Sequence, residues 1–240
     1  MRSGHAVMPM TPVLAAGVGV RHARGWALRS ASFRMHASMT GAGGLGIVVS
    51  RPGAATSVVD LLSGHTRPAY GELRVLGEDL TTAGGRAAVR RHVGIARRHD
   101  GLQAPFRVRG LVEHAARRAG IPARVRHLLA AAILDRLSLT PWAEVPVRSA
   151  PDMVGRRARL AAAAVHEPAL LLIDGLLDGL SARDTAELAE CIRDLGREMA
   201  IIATGCDARA LALICDEMLT FADGILVGEA TADRPVWHLP

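Results

Sequence analysis

Lysine and asparagine are both missing from this 240-residue chain, so all 29 of its basic residues are arginines. The first absence has a chemical consequence. No position can supply the compact ammonium charge with which a loop grips a phosphate, and a planar guanidinium fork on a different stem is no equivalent. Aromatics are scarce too, with three Phe, three Trp and one Tyr. A formal charge of +6 would suit a polyanion or an anionic surface. The arginines are scattered, however, and so few rings leave little to stack on bases, which argues against nucleic-acid binding. Cysteine is limited to Cys191, Cys206 and Cys215, an odd number without metal-ligand spacing; free thiols in a reducing cytoplasm are the expectation. No window approaches the roughly eighteen uninterrupted apolar residues that cross a bilayer. The apolar run at residues 13–20 is interrupted by Pro9 and Pro12 before it and closed by Arg21, which argues against a secretory leader.

What is present is a well-patterned hydrophobic half of the chain, enough for a full core and too much for disorder. The most informative stretch is residues 166–184, His-Glu-Pro-Ala-Leu-Leu-Leu-Ile-Asp-Gly-Leu-Leu-Asp-Gly-Leu-Ser-Ala-Arg-Asp. Residues 170–173 form an apolar run with no alternation, bounded by Pro168 and Gly175, the pattern of a strand covered on both faces in a parallel sheet. Asp174 stands at its carboxyl end. That edge is where open α/β sheets bind ligands, and an acid there is a natural magnesium partner for a bound nucleotide; it serves equally well as a cap for the next turn.

Elsewhere the same signals recur. Residues 45–49 are a compact apolar strand, followed by the glycine-bearing loop 50–57 and an apolar helix through Leu61 and Leu62, the order of a phosphate-binding loop. Residues 71–77 alternate like a strand, residues 106–148 carry helical spacing, 155–165 are an Arg- and Ala-rich helix, 185–197 an amphipathic helix and 199–203 another buried strand. Asp223-Gly224 between two apolar runs signals a two-residue hairpin.

Taken in order over about residues 13–230, these passages resemble the ATP-binding-cassette (ABC) ATPases. His166-Glu167-Pro168, the apolar strand and Asp174 match the Walker B region, and Gly179-Leu180 match the D-loop beyond it. The resemblance implies an α/β P-loop NTPase fold: a RecA-like parallel-sheet core, an antiparallel β edge lobe and an inserted α-helical lobe. It implies one domain over residues 1–240, with the core lobe at about 13–100 and 161–230 and the helical lobe at about 101–160. It also implies ATP and magnesium as cofactors. By family position, Gly53, Ala54, Ala55, Thr56 and Ser57 would line the phosphates, His22 (or, less well placed, Trp26) would stack on adenine unless that turn is merely exposed, and Thr56 with Asp174 would hold the metal.

The family's chemical residues are nonetheless replaced. Counting from Leu61-Leu62-Ser63-Gly64, the Walker A glycines fall on Val49 and Ala54 and its lysine on Ala55. A β-branched Val49 resists positive φ, the Ala54 methyl stands where backbone must approach phosphate, and Ala55 removes a contact worth roughly 1.5 to 3 kcal/mol. Arg51 is the one cation nearby. The catalytic Glu falls on Gly175, the switch His on Cys206, the D-loop Asp on Ser181 and the Q-loop Gln on Arg98, where a cation would repel metal. The signature motif falls on residues 150–154, all changed, with Asp152 turned toward the phosphate that a second cassette would hold. Cys206 reads as a small buried hydrophobe rather than a reactive thiol.

The resemblance therefore implies a degenerate ATP-binding subunit of an ABC transporter, weak or inactive toward ATP. Its partners would be a membrane permease and a second cassette, in a homo- or heterodimer at the cytoplasmic face of the membrane. The run at residues 75–80 and the short helical lobe lean toward exporters. The alternatives are a working ATPase with substituted residues, and a regulatory or basic binding module on the same fold.

Overall fold

The computed structural model describes residues 11–22, 25–35, 44–98, 106–231 and 234–237. Strands β1 (Val13–His22) and β2 (Gly25–Met35) pair antiparallel, and β3 (Gly44–Val49) leads into helix α1 (Pro52–Leu62). Next come β4 (Tyr70–Val75), β5 (Glu78–Asp79), α2 (Ala83–Val89) and β6 (Val93–Arg97). Helices α3 (Val108–Arg118), α4 (Ala123–Arg136) and α5 (Asp152–Ala164) precede β7 (Leu170–Asp174), α6 (Ala182–Leu195), β8 (Ala200–Gly205) and α7 (Ala208–Leu211). The strands β9 (Glu217–Ala222), β10 (Ile225–Thr231) and β11 (Arg234–Trp237) close the order.

These strands make two sheets. The larger runs β11-β10-β9-β3-β8-β7-β6, and the smaller β2-β1-β4-β5 is antiparallel. The three apolar runs read as buried strands are neighbours, with β3 parallel to β8 and β8 parallel to β7. Their side chains divide by period two, as a pleated strand requires. Leu45, Ile47, Leu170, Leu172 and Ile202 join one apolar layer; Val48, Leu171, Ile173, Ile201 and Ala203 join the other. Helix α1 lies in the first layer between the two sheets, burying Val58, Val59, Leu61 and Leu62. Helices α3 to α6 pack in the second.

Local chemistry explains most boundaries. The hairpin between β9 and β10 turns through Asp223 (φ 48°) and Gly224 (φ 82°), the left-handed pair that a two-residue hairpin demands. Helix α6 starts at Ala182, three residues before the amphipathic pattern, because Ser181 caps it by accepting from the Asp184 amide at 3.1 Å. Three expectations need correction. The helical stretch at 106–148 ends at Arg136, and Pro141 and Pro146 confine the residues beyond it to short 3-10 turns at Thr140–Trp142 and Val147–Ser149. The helix read at 155–165 begins earlier, at Asp152, an acid well placed against the positive end of the helix dipole. The loop read at 50–57 is mostly helix. Pro52 sits at the first helical position, where its fixed φ is preorganised and its missing N–H is not needed, so only Ser50 and Arg51 link β3 to α1.

Candidate functional site

The candidate residues meet at the carboxyl edge of the large sheet, where β3, β6, β7 and β8 end. Asp174 closes β7, in register with Arg97 on β6 and Thr204 on β8, and is only 6% exposed. Burial pushes its carboxyl above the ordinary carboxylate range, opposed by a hydrogen bond from the Thr56 hydroxyl and by the nearby Arg97 charge. The two residues assigned to a metal from sequence are thus together. Thr56 Oγ1 also lies 3.4 Å from the Pro52 carbonyl oxygen.

The phosphate-loop candidates are arranged less favourably. Gly53, Ala54, Ala55, Thr56 and Ser57 all lie within α1. The Ala54 and Ala55 amides both donate to the Arg51 carbonyl, at 3.0 and 3.3 Å, and Pro52 has no N–H. An anion at this helix end would therefore meet few free donors. Arg51, the N-cap residue, makes no side-chain cap and leans instead toward Asp223, Nη2 to Oδ1 at 3.8 Å. The cleft bounded by Trp26, Val49, Ser50, Arg51, Ala54, Phe221 and Asp223 has a volume of only ≈ 10 Å³. Asp174 and Thr56 are the two oxygen donors at the acidic end, and the start of α1 offers few free amides; among the described residues no group of three or more His, Cys, Asp or Glu could hold a metal ion.

Other assignments fare variously. His22 ends β1 opposite Gly25; its side chain, the turn residues Ala23 and Arg24, and residues 99–105 lie outside the described residues. Trp26 flanks the cleft but is already engaged, edge-on to Tyr70 with ring centroids 5.3 Å apart and under the Arg21 guanidinium at 4.5 Å. The Arg98 amide donates to the Asp174 carbonyl at 3.0 Å, while its guanidinium lies against Gly179. The cation acting on Asp174 is Arg97, itself paired with Asp60.

Gly175 has φ 62°, and its amide donates to the Thr204 carbonyl at 2.9 Å. Cys206 is exposed, not buried as read from sequence, because β8 ends at Gly205 and the chain turns outward there. Burial on one side and then the Asp178 charge push its thiol up, away from the reactive thiolate.

Two residues of this edge escaped the sequence reading. Asp178 turns its carboxylate back over Gly175 and Gly205 and accepts from the Cys206 amide at 3.3 Å. The repeated Asp-Gly at 174–175 and 178–179 was its available signal. Arg156, one of three arginines in the helix read as Arg- and Ala-rich, is 1% exposed. Its Nη1 donates to the carbonyls of Leu176 and Asp178, at 2.7 and 2.8 Å, and its Nε to Asp152 Oδ2 at 2.8 Å. Asp152 therefore sits at the start of α5 with one oxygen committed within its own chain, its side chain 70% exposed. A separate cleft of ≈ 300 Å³ lies between the starts of α5 and α6, lined by Trp142, Met153, Arg157, Arg183 and Glu187. Both of its arginines already pair with Glu187.

No protein-family model matches the chain. Among characterised proteins it is similar to the methionine import ATP-binding protein MetN 2 of Burkholderia mallei, 28% identical over 202 residues covering 82% of this chain and 50% of that protein. It is likewise similar to the daunorubicin resistance ATP-binding protein DrrA3 of Streptomyces coeruleorubidus, 28% identical over 190 residues covering 79% of this chain and 60% of that one. The Nod factor export ATP-binding protein I of Burkholderia lata is 25% identical over 223 residues, 92% of this chain and 71% of the relative. The chain thus spans about half the length of its methionine-import relative. In fold it is similar to cbiO1 of Clostridium perfringens, part of the ABC transporter complex cbiONQ, with TM-score 0.78 and 17% identity over 92% of this chain and 88% of that one. A putative metal-chelate type ABC transporter in an inward-facing conformation gives TM-score 0.76, 17% identity and coverage of 93% and 84%. In sequence the chain is thus similar to ATP-binding proteins of transporters, and in fold to chains of ABC transporters.

Proposed function

We propose that this chain is an ATP-binding subunit of an ABC transporter whose own nucleotide site is impaired, acting as a structural or regulatory partner of a membrane permease or of a second, active cassette. On this reading it is a single cassette, core lobe at about 13–100 and 161–230 and helical lobe at about 101–160, lying against the cytoplasmic face of the membrane. Among the described residues no helix is long and apolar enough to cross a bilayer; the reading assigns the pore to the permease subunit. The run at residues 75–80 and the short helical lobe favour export; the relatives' names cover both methionine import and Nod factor export.

The observation that carries the reading is the contrast between Asp174 and Thr56, which are in contact, and the start of α1, which turns its amides inward, with Ala55 at the position the sequence register gives to a lysine. If bound, a magnesium nucleotide would supply the electrophilic phosphorus, and Thr56 and Asp174 would hold its metal. No side chain at Gly175 can take a proton from water, and removing a general base costs on the order of 10² to 10⁴ in rate. A missing phosphate donor at Ala55 costs about another 10² to 10³, though such losses do not add within one site. Losing two contacts of roughly 1.5 to 3 kcal/mol each would weaken ATP binding by about a hundredfold or more. Asp152, at the start of α5, would face a nucleotide on the second cassette and disfavour closure over it.

The test is steady-state ATP hydrolysis by the purified chain, alone and with any permease or cassette encoded beside it. Turnover near background for the chain alone is expected. The intact Thr56–Asp174 contact supports a second reading, a working ATPase; robust hydrolysis by the chain alone, abolished by Asp174→Ala, would establish that reading instead.

A further inference from the structure

The chain's excess of positive charge is concentrated in one helical hairpin. Residues 114–134 contain Arg117, Arg118, Arg124 and Arg126 and no acid, so this stretch holds +4 of the formal +6. The four stand on either side of the bend Gly120-Ile121-Pro122 between α3 and α4, which pack against each other. Arg126 is half-buried and holds the bend, its Nη2 donating to the Ile121 carbonyl at 2.9 Å. Arg117, Arg118 and Arg124 are exposed. Arg117 lies against the His114 ring, Nη2 to Nδ1 at 2.9 Å, and among the described residues neither Arg118 nor Arg124 pairs with an acid. Helix stability accounts for part of this arrangement. Arg117 and Arg118 fall in the last turn of α3, where the dipole favours a cation, but Arg124 falls in the first turn of α4, where it disfavours one and no acid offsets it. Its charge works against its own helix. The same helix is apolar on both sides: Ala130, Ile133 and Leu134 pack inward, while Leu128, Ala131 and Ala132 are exposed and follow Arg124 at spacings of four, seven and eight, on one face. Leu128 is 59% exposed, more than any other large apolar side chain among the described residues.

We propose that this hairpin binds the surface of an anionic phospholipid bilayer, with Arg117, Arg118 and Arg124 on the lipid phosphates and Leu128 entering the boundary between headgroups and acyl chains. The chemistry is complementary. Guanidinium forks match phosphate oxygens, and long arginine stems keep the charge among the headgroups while a neighbouring leucine sinks deeper. A nucleic acid fits less well, because residues 114–134 contain no Phe, Trp or Tyr to stack on bases and a phosphate backbone offers an exposed leucine nothing. A protein segment would call for a groove, and no residue of the hairpin lines either of the two clefts described above. The inference goes beyond the proposed function, in which a permease holds the chain at the membrane, and asks nothing of the nucleotide site.

The experiment is co-sedimentation of the whole chain with vesicles of phosphatidylcholine, alone or mixed with phosphatidylglycerol, at low and at high salt, with thermal melts of every variant. Wild type is expected to bind the anionic vesicles about tenfold or more tighter than the neutral ones, and to weaken as salt rises. Combining Arg117→Gln, Arg118→Gln and Arg124→Gln should weaken that binding by about a hundredfold, at about fivefold per arginine. Combining Arg34→Gln, Arg74→Gln and Arg91→Gln removes equal charge from exposed positions elsewhere and should cost less than about fivefold. Leu128→Ser should weaken binding by about tenfold without changing its salt dependence. All of these side chains are exposed, so the melts should stay close to wild type. Equal binding to both vesicle types, equal loss in the two triple variants, or unchanged binding in Leu128→Ser would each overturn the proposal. So would a wild type that ignores vesicles while the first triple variant alone fails to retain a co-expressed permease, because the partner would then be a protein. The vesicles carry neither nucleotide nor permease, so failure here leaves the proposed function to be decided by ATP hydrolysis.

Discussion

The body of the large sheet and its carboxyl rim follow different rules. In the body, β3, β7 and β8 alternate between two apolar layers with every side chain of β7 buried, so each position is judged by burial and volume. At the rim, a few residues beyond each strand end, what matters is which donor or charge meets which group. Val49, Ala55 and Gly175 offer no polar side chain there, and the Cys206 thiol is exposed. A sheet can therefore keep its architecture while its edge is rewritten, because the terms that hold the strands together hardly involve the rim.

The sharpest way to break that separation is Arg156→Ala, since Arg156 is the buried strut under the rim. Removing it leaves two carbonyls unmet and a cavity, and should cost about 3 to 5 kcal/mol in urea unfolding; a loss below about 1 kcal/mol would mean that the rim is not anchored to the core. Leu172→Ala, wholly within the body, should cost about 3 kcal/mol while leaving the pH dependence that Asp174 gives to stability unchanged. A shift in that dependence would show the two regions to be coupled.

Ser181→Ala tests the local layer, with about 1 kcal/mol lost from the cap of α6 in the same assay. Arg51→Ala, which removes only an exposed ion pair at 3.8 Å, should change stability by less than about 0.5 kcal/mol.

Acidity sharpens the comparison at a single residue. The folded state raises the Asp174 carboxyl above its unfolded value, mainly by burial, so the folded protein binds the proton more tightly. Its contribution to stability is then greatest at pH below both values and declines as pH rises from the unfolded toward the folded one. Asp174→Asn, neutral throughout, should melt higher than wild type at pH 7, with the gain shrinking as the pH is lowered through that window. A gain that grows on acidification would show that Asp174 is held as a stabilised carboxylate.

The closing hairpin was legible because Asp223-Gly224 carries its conformation in two adjacent residues, and the buried strands because an apolar run between breakers has few other uses. The start of α1 was misjudged through the family's loop pattern, although Pro52 and two alanines already argued locally for helix. Cys206 was misplaced because its exposure depends on where β8 stops. Arg156 was passed over because nothing in its sequence neighbourhood distinguishes it from Arg157 or Arg159.

What the sequence determined by itself was therefore what is local or periodic: strand cores, the turn at Asp223-Gly224, the absence of any lysine, and Asp174 at the end of an apolar run. Thr56 was placed with Asp174 only through register against a known pattern, and the fold then brought the two into contact. Tertiary structure alone decided that Arg97 rather than Arg98 acts on Asp174, that Arg156 is buried beneath the loop after β7, and that Asp178 folds back over two glycines toward Cys206. Those relations join residues from separate strands and helices, and only the packing of those elements sets the distances and the burial on which their electrostatics depends.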